Sequence, residues 1–373
     1  MRYADGMRAV LAALLVVHGL IHFMGFAKAF GFAELPQLRQ RVSRPMGVLW
    51  LVAGLLILVA AFLPWRAFWV VGLLAVVASQ AAIVSSWADA KFGTLINVVA
   101  LAAVVYAFAA RGQVSLAAEY AADVARALRS PNAHGIVAEA DLQRLPQPLQ
   151  NYLRVTGAVG QPRPSNVRAR WKGRIRGAAT DPWMGFTAEQ FNTYGPSPSR
   201  LFLMDTTMKG LPVDVFHRFV GDAATFRVRL LSLFPLVDAK GPEMNRSETV
   251  TLFNDMCMLA PGALADPAIR WDSVDALSAR AAYTRGPETI SAELRFAASG
   301  MLVDFISDDR SRASPDGNSF TRLRWTTPVR EARSFGPFRL VARGEARWHA
   351  PDTPGFAYVE MELLDVAYNV AVP

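Results

Sequence analysis

Four apolar stretches dominate the first 110 residues: Met7–Phe26, Met46–Leu63, Ala67–Trp87 and Gly93–Ala110. At about 1.5 Å per residue, helices of roughly 18–21 residues extend about 27–31 Å, the thickness of a bilayer's hydrocarbon core. The polar stripes of a soluble all-helical core are nearly absent, so the pattern predicts four transmembrane helices. Trp50, Trp65, Trp69 and Trp87 fall near the segment ends, where amphipathic rings favour the membrane–water interface. The first stretch exceeds the usual apolar core of a signal peptide and no small-x-small cleavage site follows it, so it reads as an uncleaved span.

The period then changes twice. Leu116, Tyr120, Val124 and Leu128 form an i,i+4 stripe on an alanine-rich helix, Val114–Arg129, which Ser130-Pro131-Asn132 ends. A second short helix is expected over Pro146–Val155. After Gly160 the period is two. In Val167–Arg176 the odd positions are Val167, Ala169, Trp171, Gly173 and Ile175, whereas the even positions are Arg168, Arg170, Lys172, Arg174 and Arg176. Similar strands are expected at Ala224–Leu231, Thr289–Phe296, Leu302–Ser307, Phe320–Thr326, Phe338–His349 and Ala357–Val366. One helix, Ser247–Leu259 with Ser247 as its cap, interrupts them. The fold class is therefore a membrane α-helical bundle of four spans followed by a mainly antiparallel β (α+β) domain, a curved sheet or half-barrel with few helices. The expected divisions are 1–112 (transmembrane), 113–145 (helical linker) and 146–373 (β-rich soluble domain).

Composition narrows the class. Of 373 residues 52% are hydrophobic and only 19% charged, against about 25% charged in soluble domains. The deficit lies in the first 110 residues, which excludes a disordered, collagen-like or wholly soluble chain. The single cysteine, Cys257, excludes an intrachain disulfide framework and any Cys-rich metal site. The net charge of +8 suits anionic lipid or membrane loops. Zinc-finger, RNA-recognition and KH signatures are lacking, and nucleic acid is not an expected partner. Orientation is tied: loops one and three hold five Lys/Arg, against four near the membrane on the other side, or six with Arg126 and Arg129.

Candidate chemistry is sparse. His18 and His22, spaced i,i+4, share one face of the first span and could hold a metal with a third ligand. Alternatively, they donate interhelical hydrogen bonds to Ser79, Gln80 or Asn97. Trp87–Thr94 is expected to be a solvated turn, with Asp89 and Lys91 paired at the headgroups and Thr94 capping the fourth span. His134, His217 and His349 are isolated, and Asp308-Asp309 beside Arg310 and Arg312 reads as a solvated, paired turn. Nucleophile elbows, zinc-protease motifs and phosphate-binding loops do not occur, so a non-enzyme without cofactor is favoured. The basic row Arg168, Arg170, Lys172 and Arg174 either meets acids on neighbouring strands or faces anionic headgroups. Pairing Phe338–His349 with Ala357–Val366 would bring Arg343 beside Glu362.

Two sets of residues carry a resemblance. His18-Gly19-Leu20-Ile21-His22, Ser43-Arg44-Pro45, Ser79-Gln80 and Trp87–Thr94 form the first; Leu145-Pro146, Tyr152-Leu153, Phe186–Gln190 and Asp238–Glu243 form the second. Both resemble an uncharacterised family of bacterial membrane proteins with four N-terminal spans and a β-rich C-terminal domain. The β half is also similar in organisation to periplasmic lipoprotein-carrier domains, through Ala292–Phe296, Gly300, Phe305 and Asp309-Arg310. That resemblance implies a multi-pass protein of the cell membrane with an extracytoplasmic β domain that holds a lipid or other hydrophobic ligand. The apolar face of Val167, Trp171, Ile175, Phe226, Phe338, Leu340 and Trp348 fits it, and Trp171 with the basic row is the expected ligand site. The alternatives are a membrane metal or redox enzyme built on His18 and His22, and a structural module for an unidentified protein partner.

Overall fold

The computed structural model describes residues 2–129, 135–351 and 354–371. Ser130-Pro131-Asn132, His134 and Asp352-Thr353 lie outside them. The chain forms two compact units. One runs to Glu119 and includes Leu231–Leu233; the other comprises Tyr120–Leu230 and the residues from Phe234 onward.

The first unit contains α1 (Arg2–Ala29), α2 (Arg44–Phe62), α3 (Trp65–Ser85), α4 (Trp87–Ala90) and α5 (Gly93–Arg111). Four of its helices, α1, α2, α3 and α5, are long and apolar enough to cross a membrane. Ser43 caps α2 by accepting the Met46 N–H, with Pro45 in the first turn. Close packing of α1 on α2 needs a glycine: a Cβ on Gly25 would lie 2.2 Å from the Trp50 ring. The connection after α3 differs from expectation. It contains the short α4, and Thr94 sits inside α5, where its hydroxyl accepts from Gln80 Nε2 at 3.2 Å instead of capping. Asp89 accepts the Gln40 N–H at 2.7 Å, while Lys91 lies over the Phe92 ring. Backbone and aromatic partners therefore replace the expected ion pair.

α6 (Leu116–Ala127) crosses the boundary between the units along the chain. It is followed by α7 (Glu139–Leu142), α8 (Gln147–Val155) and sixteen strands with one long helix among them. The first six strands are β1 (Asn166–Ile175), β2 (Met184–Thr193), β3 (Ser199–Met208), β4 (Leu211–Val220), β5 (Ala223–Leu230) and β6 (Phe234–Lys240). After α9 (Pro242–Leu259) come β7 (Ile269–Asp275), β8 (Ser278–Arg285), β9 (Glu288–Phe296), β10 (Leu302–Ser307), β11 (Ser311–Ala313) and β12 (Phe320–Arg322). The last are β13 (Arg324–Thr326), β14 (Val329–Phe335), β15 (Phe338–His349) and β16 (Phe356–Tyr368). Fourteen strands form one sheet in the order β6-β5-β4-β3-β2-β1-β16-β15-β13-β10-β9-β8-β7, with β14 beside β15; β11 and β12 pair separately. Its pairings are antiparallel, and it does not close into a barrel. Arg343 stands opposite Glu362, the register expected from the alternation, and their side chains meet at 3.1 Å.

The sheet curls around α9, which touches β5 and β6 from one half and β9, β10 and β15 from the other. This helix starts earlier than expected. Gly241, with φ of 109°, precedes Pro242 at the first helical position, the arrangement that opens a helix without a side-chain cap. Ser247 is therefore not a cap. It lies fully buried mid-helix, and its hydroxyl accepts the Ser311 N–H at 2.9 Å.

The expected strand Phe320–Thr326 breaks at Leu323, whose N–H donates to the Arg310 carbonyl. Its two halves serve different partners, β11 on one side and β10 with β15 on the other. β3 escaped the period-two reading because both its faces are covered. Leu201 is buried on one side, and Phe202 and Met204 on the other.

Candidate functional site

Between α9 and the sheet lies a cavity of about 350 Å³. Native cores leave few voids larger than a water molecule, and ligand pockets begin near roughly 300 Å³. Most of its wall is apolar, with Phe186, Met204, Val215, Phe226, Met258 and Met361 among the contributors. Trp171 and Ile175 reach it from β1, and Trp348 from β15. Val167 and Leu340 are buried in the same domain core, and Phe338 packs against Tyr368 with ring centroids 4.4 Å apart.

One part of the wall is polar, and α9 supplies much of it. Thr251, Asn254 and Asp255 line it, and Glu248, fully buried, recurs with them at helical spacing. Arg200 on β3 holds both acids: Nε donates to Asp255 Oδ2 at 2.6 Å, and Nη1 to Glu248 Oε2 at 3.2 Å. Asp255 Oδ2 also accepts from Gln190 Nε2 at 2.6 Å and Asn192 Nδ2 at 3.1 Å, while Gln190 Oε1 takes the Trp171 indole N–H at 2.8 Å. Burial raises the Asp255 carboxyl above its ordinary pKa, and the Arg200 charge opposes that rise. His217 Nε2 lies 3.0 Å from Glu248 Oε1 but out of hydrogen-bond alignment. Burial first, then the Arg200 and Arg310 cations, hold His217 well below its usual pKa, so it is neutral at pH 7.

Arg310 completes this end of the cavity. Its Nε donates to Thr251 Oγ1 at 3.0 Å and its Nη1 to the Tyr358 hydroxyl at 3.2 Å. The guanidinium lies 4.5 Å from the Trp325 ring centre and 5.0 Å from that of Trp348. The expected solvated turn is thereby corrected. Asp309 turns to Arg246 at 2.7 Å and Asp308 to Arg324 at 2.9 Å, while Arg310, in the bend between β10 and β11, points inward to Thr251 and Tyr358.

The basic row of β1 is on the other face of its strand. Each cation there has an acid: Arg168 with Glu189 at 3.5 Å, Arg170 with Asp365 at 3.2 Å, Lys172 with Glu362 at 3.2 Å and Arg174 with Glu360 at 2.7 Å. The structure therefore separates Trp171, on the cavity, from the four cations named with it. Arg176 lies over Trp183 and donates to the Ala357 carbonyl at 2.9 Å. His349 Nε2 is 3.0 Å from Thr326 Oγ1.

In the first unit, His18 Nε2 is 3.1 Å from Asn97 Oδ1 and 3.2 Å from Ser79 Oγ, and His22 Nε2 is 2.9 Å from Ser79 Oγ. His22 Nδ1 is 3.0 Å from the His18 carbonyl, which can only accept. That places a proton on His22 Nδ1, and Ser79 Oγ donates to Asn97 Oδ1 at 2.9 Å, so the two rings, Ser79 and Asn97 form one interhelical hydrogen-bond network. Among the described residues, no three His, Cys, Asp or Glu side chains gather as a metal-holding group.

Sequence reasoning missed Arg200, Glu248, Asp255 and Arg310. The legible signal was the polar stripe Ser247/Glu248, Thr251 and Asn254/Asp255, spaced i,i+4 and i,i+7 and running into the apolar C-terminal half of the helix.

Residues 135–361, more than half of the chain, match DUF6544, a family of unknown function. No curated protein matches the chain. Similar solved structures include a domain named for outer membrane lipoprotein sorting from Vibrio parahaemolyticus, 11% identical over 56% of this chain and 87% of that one, with a TM-score of 0.32. A DUF1329 family protein from Desulfovibrio piger is 10% identical over 64% of this chain and 96% of its own, with a TM-score of 0.34. LprF from Mycobacterium bovis is 13% identical over 61% and 94%, with a TM-score of 0.22. At these scores the likeness carries no ligand and no residue role across.

The two charge systems differ in burial, and stability measurements separate them. Arg200→Met leaves two buried carboxylates uncompensated and is expected to cost about 3–5 kcal/mol. Arg170→Gln with Lys172→Gln removes exposed pairs worth about 0–1 kcal/mol each. Denaturant midpoints of the intact protein should show that contrast, and equal shifts would contradict it.

His217 adds a pH dependence. A histidine held neutral in the folded state contributes stability that is complete above its unfolded pKa of about 6.5 and declines as pH falls below it. Between pH 7.5 and 5.5, wild type should therefore lose more thermal stability than His217→Gln. An identical loss in both would remove His217 as a source of the effect.

Proposed function

The chain belongs to DUF6544, and we propose that this member is a membrane-anchored, non-enzymatic protein whose β domain binds a lipid or other hydrophobic ligand in the cavity between α9 and the sheet. Residues 1–112 serve as the anchor, 113–145 as the helical linker and 146–373 as the binding domain, held on the extracytoplasmic side. The observation that carries this reading is the cavity itself, about 350 Å³ with a largely apolar wall inside an otherwise packed core. Collapsing such a wall would recover van der Waals contact. Here α9 is held off by Arg200, whose fork joins β3 to both Glu248 and Asp255, so the space stays open to an apolar guest.

The basic row on β1 has a separate proposed role. Its ion pairs are exposed, and their cations can exchange a carboxylate for a lipid headgroup where the domain comes near a bilayer.

Native mass spectrometry of the intact protein, released from detergent, is expected to show a bound apolar species on wild type. Ala346→Phe, which fills the cavity from β15, should lose that species at a cost of no more than about 1–3 kcal/mol in unfolding free energy. Wild type without any bound species, across several extraction conditions, would overturn the reading.

A further inference from the structure

The polar end of the cavity carries a charge that the protein leaves without an anion. Arg310 is 8% exposed and lines the cavity. Among the described residues its guanidinium makes no ion pair; its side-chain partners are the hydroxyls of Thr251 and Tyr358 and the faces of Trp325 and Trp348. The acids nearby are committed elsewhere. Glu248 and Asp255 are both held by Arg200, and Asp309 by Arg246. A buried cation without an anion is costly, and such groups are normally paired. The other buried arginine of this cavity, Arg200, shows the usual solution with two carboxylates, so Arg310 is the exception at the same site.

Its surroundings orient it. Two indole rings and two hydroxyls fix the plane of the guanidinium, and among the described residues Nη2 has no acceptor. A planar fork held in this way is suited to a carboxylate or a phosphate. The adjoining wall is apolar, with Phe226, Met244, Met258 and Met361. Tyr358, which accepts from Arg310, also takes the Trp325 indole N–H at 3.1 Å, so the cradle is braced from β13 and β16 together.

We propose that Arg310 is the headgroup site of the cavity and that the ligand is an anionic amphiphile, an apolar chain ending in a carboxylate or phosphate monoester. This deepens the binding reading above and rests on it. Neutral His217 then stands beside the site without adding a second cation. Arg176 and Arg312 also reach the wall, but both are half-buried and donate to backbone carbonyls, so among the described residues Arg310 is the buried cation of the cavity that no anion pairs.

The test is photolabelling of the intact chain in phosphatidylcholine nanodiscs. Three hexadecyl probes with a diazirine close to the head are compared: the acid, the phosphate monoester and the neutral alcohol. Label is read by peptide mapping within the cavity. At least one anionic probe is expected to label cavity peptides about tenfold more than the alcohol, the scale of one charge-assisted interaction. Crosslinks should concentrate on the peptides carrying Arg310, Trp325, Trp348 and Tyr358, and the stronger of the two anionic probes identifies the headgroup. In Arg310→Gln the anionic preference should fall to about one while labelling by the alcohol persists.

Equal cavity labelling by all three probes in wild type would overturn the headgroup site and leave the binding reading standing. Cavity labelling by none of them would overturn the binding reading itself. If Arg310→Gln loses the alcohol label as well, the crosslink position in wild type decides: head-proximal label away from the Arg310 cradle contradicts the proposal.

Discussion

A carboxylate inside a protein needs a cation within reach, and α9 brings two of them, Glu248 and Asp255, into the middle of the β domain. Arg200 answers both from β3, and Gln190 and Asn192 of β2 join it as donors to Asp255 Oδ2. This one contact sets the position of the helix relative to the sheet. Without it, the polar stripe of α9 would have to face water. With it, the helix runs through the hollow of the sheet, and a space remains along its flank. The hollow depends in turn on an open, curled sheet, in which β1 and β16 join the early strands to the late ones.

The same logic explains why the domain keeps two charge systems apart. On β1 alternation puts Trp171 inside and Arg170 and Lys172 outside, so the exposed row is balanced strand to strand by acids of β2 and β16. The interior set is balanced only as far as Arg200. Arg310 is held by hydroxyls and indoles, which orient a guanidinium without neutralising it. An interior that is apolar along most of its wall and holds a buried cation without an anion at one end has the polarity of an amphiphile.

Much of this architecture was legible because the relevant forces are local. The four apolar stretches, the switch of period after Gly160 and the Arg343–Glu362 register follow from side-chain alternation along short segments. Strands buried on both faces, such as β3, carry no period and were passed over. Interior polar groups were harder for a different reason. Arg310 reads as surface beside Asp308 and Asp309, and only the pairing of those acids with Arg324 and Arg246 turns it inward. Arg200 and Asp255 are 55 positions apart, and no pattern in the chain links them. The polar stripe on α9 was visible, but its meaning depends on a sheet that wraps the helix.

The account stands on the cavity between α9 and the sheet being a binding space. The most direct measurement is an experimental density map of the intact protein purified from its native membrane, inspected between Trp171, Met258 and Arg310. The account expects elongated density along the apolar wall with the Trp325 and Trp348 rings still apart. A wall closed by its own side chains, with Met204, Phe226 and Met258 in mutual contact and no space left, would contradict it.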